Sequence, residues 1–126
     1  HDIYTAIEDT RSPRINLPSG GSVVLEQTHA MIVADVNQGN ASAAAGANRE
    51  AATEIARHIR LRNLSGAILI DFIDTGQKSD RADVLDILEK ALASDRAQAQ
   101  VHGFTRLGIV EITRKRRSAT LAEKFS

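Results

Sequence analysis

The sequence contains no cysteine and no tryptophan, and it has only two prolines among its 126 residues. Without cysteine the chain forms neither disulfides nor thiolate metal sites, so we expect no zinc. The lack of thiols is also compatible with a reducing cytoplasm, which is the location we expect. Aromatic residues make up 3% of the chain, so the core must consist of aliphatic side chains, and few rings are available for stacking on bases.

Long hydrophobic runs are also absent. No apolar stretch reaches the length of a membrane span and the first residues lack a signal-peptide pattern, so we expect no membrane partner. Hydrophobic residues account for 42% and charged residues for 25%, which is typical of one globular domain with a modest core. Because His1 stands where an initiating Met is expected, we expect the chain to be a piece of a longer one.

The net charge is zero but unevenly distributed. Residues 104–126 contain six basic and two acidic residues, which leaves +4 on this segment and −4 on residues 1–103. A polyanion would therefore be attracted to the C-terminal segment rather than to the whole surface. A solvated run of terminal charges is the simpler alternative.

The first half of the chain predicts a hairpin followed by a helix. Two β-branched runs, Ser22–Gln27 and residues 30–36, are typical of paired strands. Residues 38–48 are small and polar and predict a loop. Apolar residues then recur at helical spacing, and Asn63 and Gly66 are expected to end the helix.

The second half predicts a strand, a helix and two more strands. Residues 67–73 are nearly all apolar, as in a strand buried on both faces. A second amphipathic helix follows, with Asp80 as its expected cap, and then strands at residues 98–104 and 107–112. This order predicts an α/β (α+β) fold in one domain: a mixed sheet with two main helices packed on it. Residues 1–16 would form a leading segment, 17–117 the core and 118–126 a weakly helical tail.

Two aspartates occupy strand positions at which the pattern calls for apolar residues. Asp35 shares a face of its strand with Val33, and Asp71 shares a face with Leu69. A buried, unpaired carboxylate is costly, and a divalent cation with oxygen ligands is a suitable partner for it. We therefore interpret Asp35 and Asp71 as candidate metal ligands. The alternative, in which each aspartate ends a strand or pairs with an arginine, stays open.

Several segments resemble, in the same order, the catalytic core of the ribonuclease E/G family. They are LPSGGS at residues 17–22, ADVNQG at 34–39, EAATEIAR at 50–57, LRNLSG at 61–66, IDFID at 70–74 and RLGIVEITR at 106–114. The resemblance implies a deoxyribonuclease-I-like subdomain. It also implies hydrolysis of single-stranded RNA that leaves a 5′-phosphate and a 3′-hydroxyl.

The resemblance assigns roles to particular residues. Asp35 and Asp71 would bind Mg²⁺ or Mn²⁺, and Asn37 would support them, although it can also be an ordinary turn residue. A cation held by two carboxylates keeps positions open for water and a phosphate oxygen. Arg106, Arg114 and Arg116 are expected to contact RNA phosphates, the alternative for each being a plain surface role.

The chain also departs from the family pattern. Gln98 stands where the family usually has a basic residue linked to the active site, so a stabilising positive charge is expected to be missing. The loop after Asn37 is short, and the family's zinc link, OB-fold domain and 5′-end pocket are absent from this sequence.

Three hypotheses follow from the sequence. The first is a metal-dependent endoribonuclease core that is weak in isolation because its RNA-holding domains are missing, with flanking domains or a second copy of the chain as partners. The second is a non-catalytic RNA-binding or scaffold module. The third is a plain structural domain whose aspartates bind nothing.

Overall fold

A computed structural model describes residues 13–116. Residues 1–12 and 117–126, which include the predicted tail and two of the six basic residues of the C-terminal segment, lie outside this range. The strands are β1 (Arg14–Asn16), β2 (Ser22–Gln27), β3 (Met31–Asn37), β4 (Gly66–Asp71), β5 (Gln100–Phe104) and β6 (Val110–Arg114), and the helices are α1 (Ala44–Leu61) and α2 (Lys78–Leu92). The predicted α+β fold, a mixed sheet with two helices, is confirmed.

The six strands form one sheet in the order β1-β2-β3-β4-β6-β5. Only β3 and β4 are parallel neighbours; the other neighbouring strands are antiparallel. Parallel neighbours need a crossover connection, and α1 provides it between these two strands. The carboxyl ends of β3 and β4 therefore meet at the same edge of the sheet.

The core lies on one face of the sheet, where both helices pack. Ile68 and Ile70 in β4 are fully buried together with Ile55 and Ile59 in α1. Their neighbours Ala67 and Leu69 point to the other face and are only half-buried. The prediction of a strand buried on both faces is therefore wrong, because no described element covers the second face of the sheet. We call this second face the open face.

Both helices begin earlier than the sequence pattern predicts. The predicted loop at residues 38–48 is shorter, since α1 starts at Ala44 in an alanine-rich stretch with high helix propensity. Asp80 is not the cap of α2: the N-cap is Gln77, which makes no side-chain cap hydrogen bond. Asp80 lies in the first turn instead, where a negative charge is favourable near the helix N-terminus. Neither helix within residues 13–116 is long and apolar enough to cross a membrane.

Candidate functional site

Asp35 and Asp71 lie side by side at the carboxyl ends of β3 and β4. They are register partners in the parallel ladder. Strands in such a ladder are about 4.8 Å apart, and register partners point to the same face. The structure therefore brings together two carboxylates that are separated by 35 residues of sequence.

The strand pattern directs both carboxylates towards solvent. Ala34 and Ile70 immediately precede them and are completely buried against the helices. Because successive strand residues alternate between faces, Asp35 and Asp71 must lie on the open face, where both are exposed. The expectation that burial would force each aspartate to find a partner is thus wrong. Their proximity is what makes them a candidate site.

Asn37 belongs to the same face as Asp35 and ends β3. A turn at residues 17–21 packs against the loop that follows it, and the Asn40 amide donates a 3.2 Å hydrogen bond to the Gly20 carbonyl. Two glycines permit this close approach. A Cβ at Gly21 would lie 2.8 Å from the Asn37 carbonyl oxygen, and a Cβ at Gly39, where φ is +55°, would clash with the Gly20 carbonyl. The turn thereby holds the end of β3 in place.

Asn48 fixes the chain just beyond Asp71. Its side-chain amide donates to the Ile73 carbonyl at 2.8 Å, and its Oδ1 accepts from the Ile73 amide at 2.9 Å. Asn48 itself is buried in α1. This pair of hydrogen bonds ties the extension of β4 to the crossover helix. The sequence offered no signal for this role, since residue 48 was assigned to a loop.

A pocket of about 100 Å³ lies next to Asp71 at the same edge of the sheet. Asp74, Arg81, Phe104 and Gly108 contribute to its wall along with Asp71. Asp74 accepts a 2.9 Å hydrogen bond from the Gly76 amide. Arg81 was not predicted at all, because one arginine on a helix surface is indistinguishable in sequence from any other.

The described residues offer few side-chain ligands for a metal ion. Among residues 13–116, no group of three or more His, Asp or Glu side chains is arranged to hold a metal ion. Neither Asp35 nor Asp71 has an ion-pair or hydrogen-bond partner for its carboxylate among the described residues. Mg²⁺ is commonly held by one or two carboxylates while keeping several waters. Two adjacent, exposed and unpaired carboxylates fit such a hydrated cation.

The structure distributes the three candidate arginines over both ends of the sheet. Arg106 is exposed in the turn between β5 and β6, and the residues after it, Leu107 and Gly108, line the pocket beside Asp71. Arg116 follows β6 at the opposite end and is also exposed. That end of β6 pairs with Gly66, which lies five residues, or about 16 Å, from Asp71 along β4.

Arg114 is engaged inside the fold. Its Nε and Nη2 donate to the two carboxylate oxygens of Asp95 at 2.8 and 3.0 Å. Its Nη1 donates to Asn63 Oδ1 and to the Leu64 carbonyl, each at 2.9 Å. The hydrogen bonding from Arg114 is the main cause that lowers the pKa of Asp95. The expectation that Arg114 contacts an RNA phosphate is therefore wrong, because its guanidinium is buried and four of its five N–H donors are used inside the fold.

Gln98 also lies at the end of the sheet remote from the aspartates. It lines a surface pocket with Gly66 and Arg114, so its side chain cannot reach a phosphate held at Asp71. Lys115 donates a 2.8 Å hydrogen bond from Nζ to Oε1 of Gln98. Lys115 therefore places a positive charge beside Gln98. Because Gln98 lies far from Asp35 and Asp71, the presence of Gln in place of a basic residue does not remove a positive charge from the two aspartates.

Comparison with known proteins agrees with the motifs in these elements. The model of the Ribonuclease E/G family matches residues 1–117. The chain is 45% identical to Ribonuclease E of Nostoc sp. over 98% of its own length and 19% of that relative. It is 42% identical to Ribonuclease G of Escherichia coli (strain K12) over 91% of its own length and 25% of that relative.

The chain thus spans about a fifth to a quarter of the length of the curated relatives it matches. Within that span, the family model covers all six strands and both helices, including the adjacent aspartates at the carboxyl ends of β3 and β4. The chain belongs to the ribonuclease E/G family.

Proposed function

We propose that this chain is the catalytic core of an endoribonuclease that uses Mg²⁺ or Mn²⁺ to hydrolyse single-stranded RNA. The observation that carries the proposal is the register pairing of Asp35 with Asp71 in a chain of this family. The relatives it matches are named Ribonuclease E and Ribonuclease G. An RNA substrate and a cysteine-free sequence are both compatible with a cytoplasmic location.

The residues at the edge of the sheet support this chemistry. Asp35 and Asp71 present oxygen ligands on the same exposed face, and Asn37 lies two residues beyond Asp35 on that face, where its amide would orient a water or a phosphate oxygen. A bound divalent cation would lower the pKa of a water and neutralise charge that develops on the phosphate. In keeping with the family resemblance, the products would carry a 5′-phosphate and a 3′-hydroxyl.

The charge distribution at this edge is suited to a phosphodiester. The two carboxylates repel RNA unless a cation binds, whereas Arg106 in the neighbouring turn attracts it. Substrate binding is therefore expected to depend on the divalent cation. The exposed edge leaves room for an extended single strand to pass over the aspartates.

The deciding experiment is cleavage of a fluorescently labelled single-stranded RNA by the wild type and by Asp71→Asn. We expect Mg²⁺- or Mn²⁺-dependent cleavage that falls by about 100-fold or more in the variant, since a metal ligand is lost. Asp83→Asn, which changes an exposed aspartate on α2, is the matched control and should retain wild-type activity. Cleavage in EDTA, or full activity of Asp71→Asn, would contradict the proposal.

A non-catalytic RNA-binding or scaffold module is the second candidate. It is favoured by the small number of metal-binding side chains, since the described residues offer two adjacent carboxylates but no group of three His, Asp or Glu that could hold a metal ion. Its signature would be salt-sensitive RNA binding without turnover at any Mg²⁺ or Mn²⁺ concentration. Supplying the flanking parts of a longer relative and recovering cleavage would instead favour the catalytic core.

A further inference from the structure

The pocket beside Asp71 contains a cation whose hydrogen-bond donors are not used by the fold. Arg81 lies near the start of α2 and is exposed. Its guanidinium carbon sits 4.6 Å from the centroid of the Phe104 ring. No described residue accepts a hydrogen bond from this guanidinium or forms an ion pair with it. The stacking restrains the side chain while its edge remains free to donate.

Acidic neighbours make the unpaired state of Arg81 informative. Asp71, Asp74 and Asp80 line the same pocket, yet none of them pairs with the guanidinium. Asp74 is instead bonded to the Gly76 amide. An arginine that merely balanced the negative charge of the pocket would be expected to contact one of these carboxylates. Its contact is instead with the ring of Phe104.

Gly108 contributes to the accessibility of Arg81. A Cβ at this position would lie 3.2 Å from Arg81 Nη2, and the backbone there has a φ of +85°. The glycine therefore leaves space directly beside the guanidinium. A planar guanidinium with free donors in such a space is suited to a phosphate, which it can bind through two parallel hydrogen bonds.

We propose that Arg81, held on Phe104, contacts an RNA phosphate next to the one positioned at Asp35 and Asp71. This inference rests on the proposed function, because it assumes that RNA crosses the edge of the sheet at the two aspartates. The acidic residues of the pocket repel a phosphate unless a divalent cation is bound nearby. The contact with Arg81 is therefore strongest when Asp35 and Asp71 hold a cation.

The test measures binding without turnover. The affinity of a fluorescent single-stranded oligoribonucleotide is determined by anisotropy in Ca²⁺ and in EDTA for the wild type, Arg81→Ala and Arg81→Lys. Arg96→Ala is the matched control, since Arg96 is exposed beside Asp95 at the remote end of the sheet. We expect Arg81→Ala to weaken RNA binding in Ca²⁺ about tenfold. The slope of the logarithm of the binding constant against the logarithm of the salt concentration should become shallower by about one unit, because one phosphate contact is lost. Arg81→Lys, which keeps the charge, should lose less.

Mn²⁺ affinity, measured separately by calorimetry, should be the same in Arg81→Ala as in the wild type. The inference is overturned if Arg81→Ala binds RNA as tightly as Arg96→Ala, or if it loses Mn²⁺ affinity along with RNA affinity. The second outcome would mean that Arg81 acts on the carboxylates rather than on RNA. Because neither measurement needs cleavage, a failure of the proposed activity and a failure of the Arg81 contact are distinguishable.

Discussion

The buried pair of Arg114 and Asp95 allows the strongest stability prediction for this protein. The two side chains are only 6% and 4% exposed and are joined by two parallel hydrogen bonds. Replacing Asp95 with Ala would leave the Arg114 guanidinium buried without its counter-charge. Breaking a buried pair in this way costs about 3–5 kcal/mol. This cost is a large part of the free energy of unfolding of a typical domain, which is roughly 5–15 kcal/mol.

The measurement is urea unfolding of Asp95→Ala followed by circular dichroism. The matched control is Asp86→Ala, which breaks the Asp86–Lys90 pair on α2; these side chains are 58% and 78% exposed. The control should lose less than about 1 kcal/mol, as exposed pairs do. The double variant Asp95→Ala/Arg114→Met should be more stable than Asp95→Ala alone, because the uncompensated charge is removed. If Asp95→Ala and Asp86→Ala lost equal stability, the structural role assigned to Arg114 would be refuted.

Two further predictions concern the same network and the support of Asp71. The lowered pKa of Asp95 means that its contribution to stability is complete above about pH 4 and is lost as the pH falls through that pKa. The free energy of unfolding measured against pH should show this loss in the wild type and in Asp86→Asn, but not in Asp95→Asn. Asn48→Ala should destabilise the fold by about 1–3 kcal/mol, because the Ile73 amide and carbonyl lose their partner. Chemical unfolding would check this, and an unchanged midpoint would contradict it.

The two ends of the sheet carry different charged groups. Asp35 and Asp71 lie at one end with Arg81 and Arg106 nearby, whereas Lys115 and Arg116 lie at the other. Lys115 and Arg116 are thus separated from the aspartates by about 16 Å along β4, whereas Arg106 of the same basic segment lies near them. An RNA strand in contact with both ends would follow the strands rather than cross them.

Much of the fold could be predicted because it depends on local periodicity. Neighbouring residues carry the patterns that predict these elements. They are the alternation of buried and exposed residues in β3, the apolar run of β4 and the helical spacing of Ile55 and Ile59. The helix starts were misplaced because neither helix has a side-chain N-cap hydrogen bond that would mark its first turn in the sequence. The burial of both faces of β4 was misjudged because a short apolar strand does not reveal how many layers cover it.

The sequence by itself indicated five of the six described strands, both helices, an aspartate in each of two strands and, through its motifs, the family; the short strand β1 was not predicted. Only the tertiary structure decided that Asp35 and Asp71 are register neighbours, that Arg114 is buried against Asp95, and that Arg81 stacks on Phe104 beside Asp71. It also moved Gln98 away from the aspartates. The physical reason is that strand order and register bring together residues far apart in the chain, and no local pattern of side chains specifies that pairing.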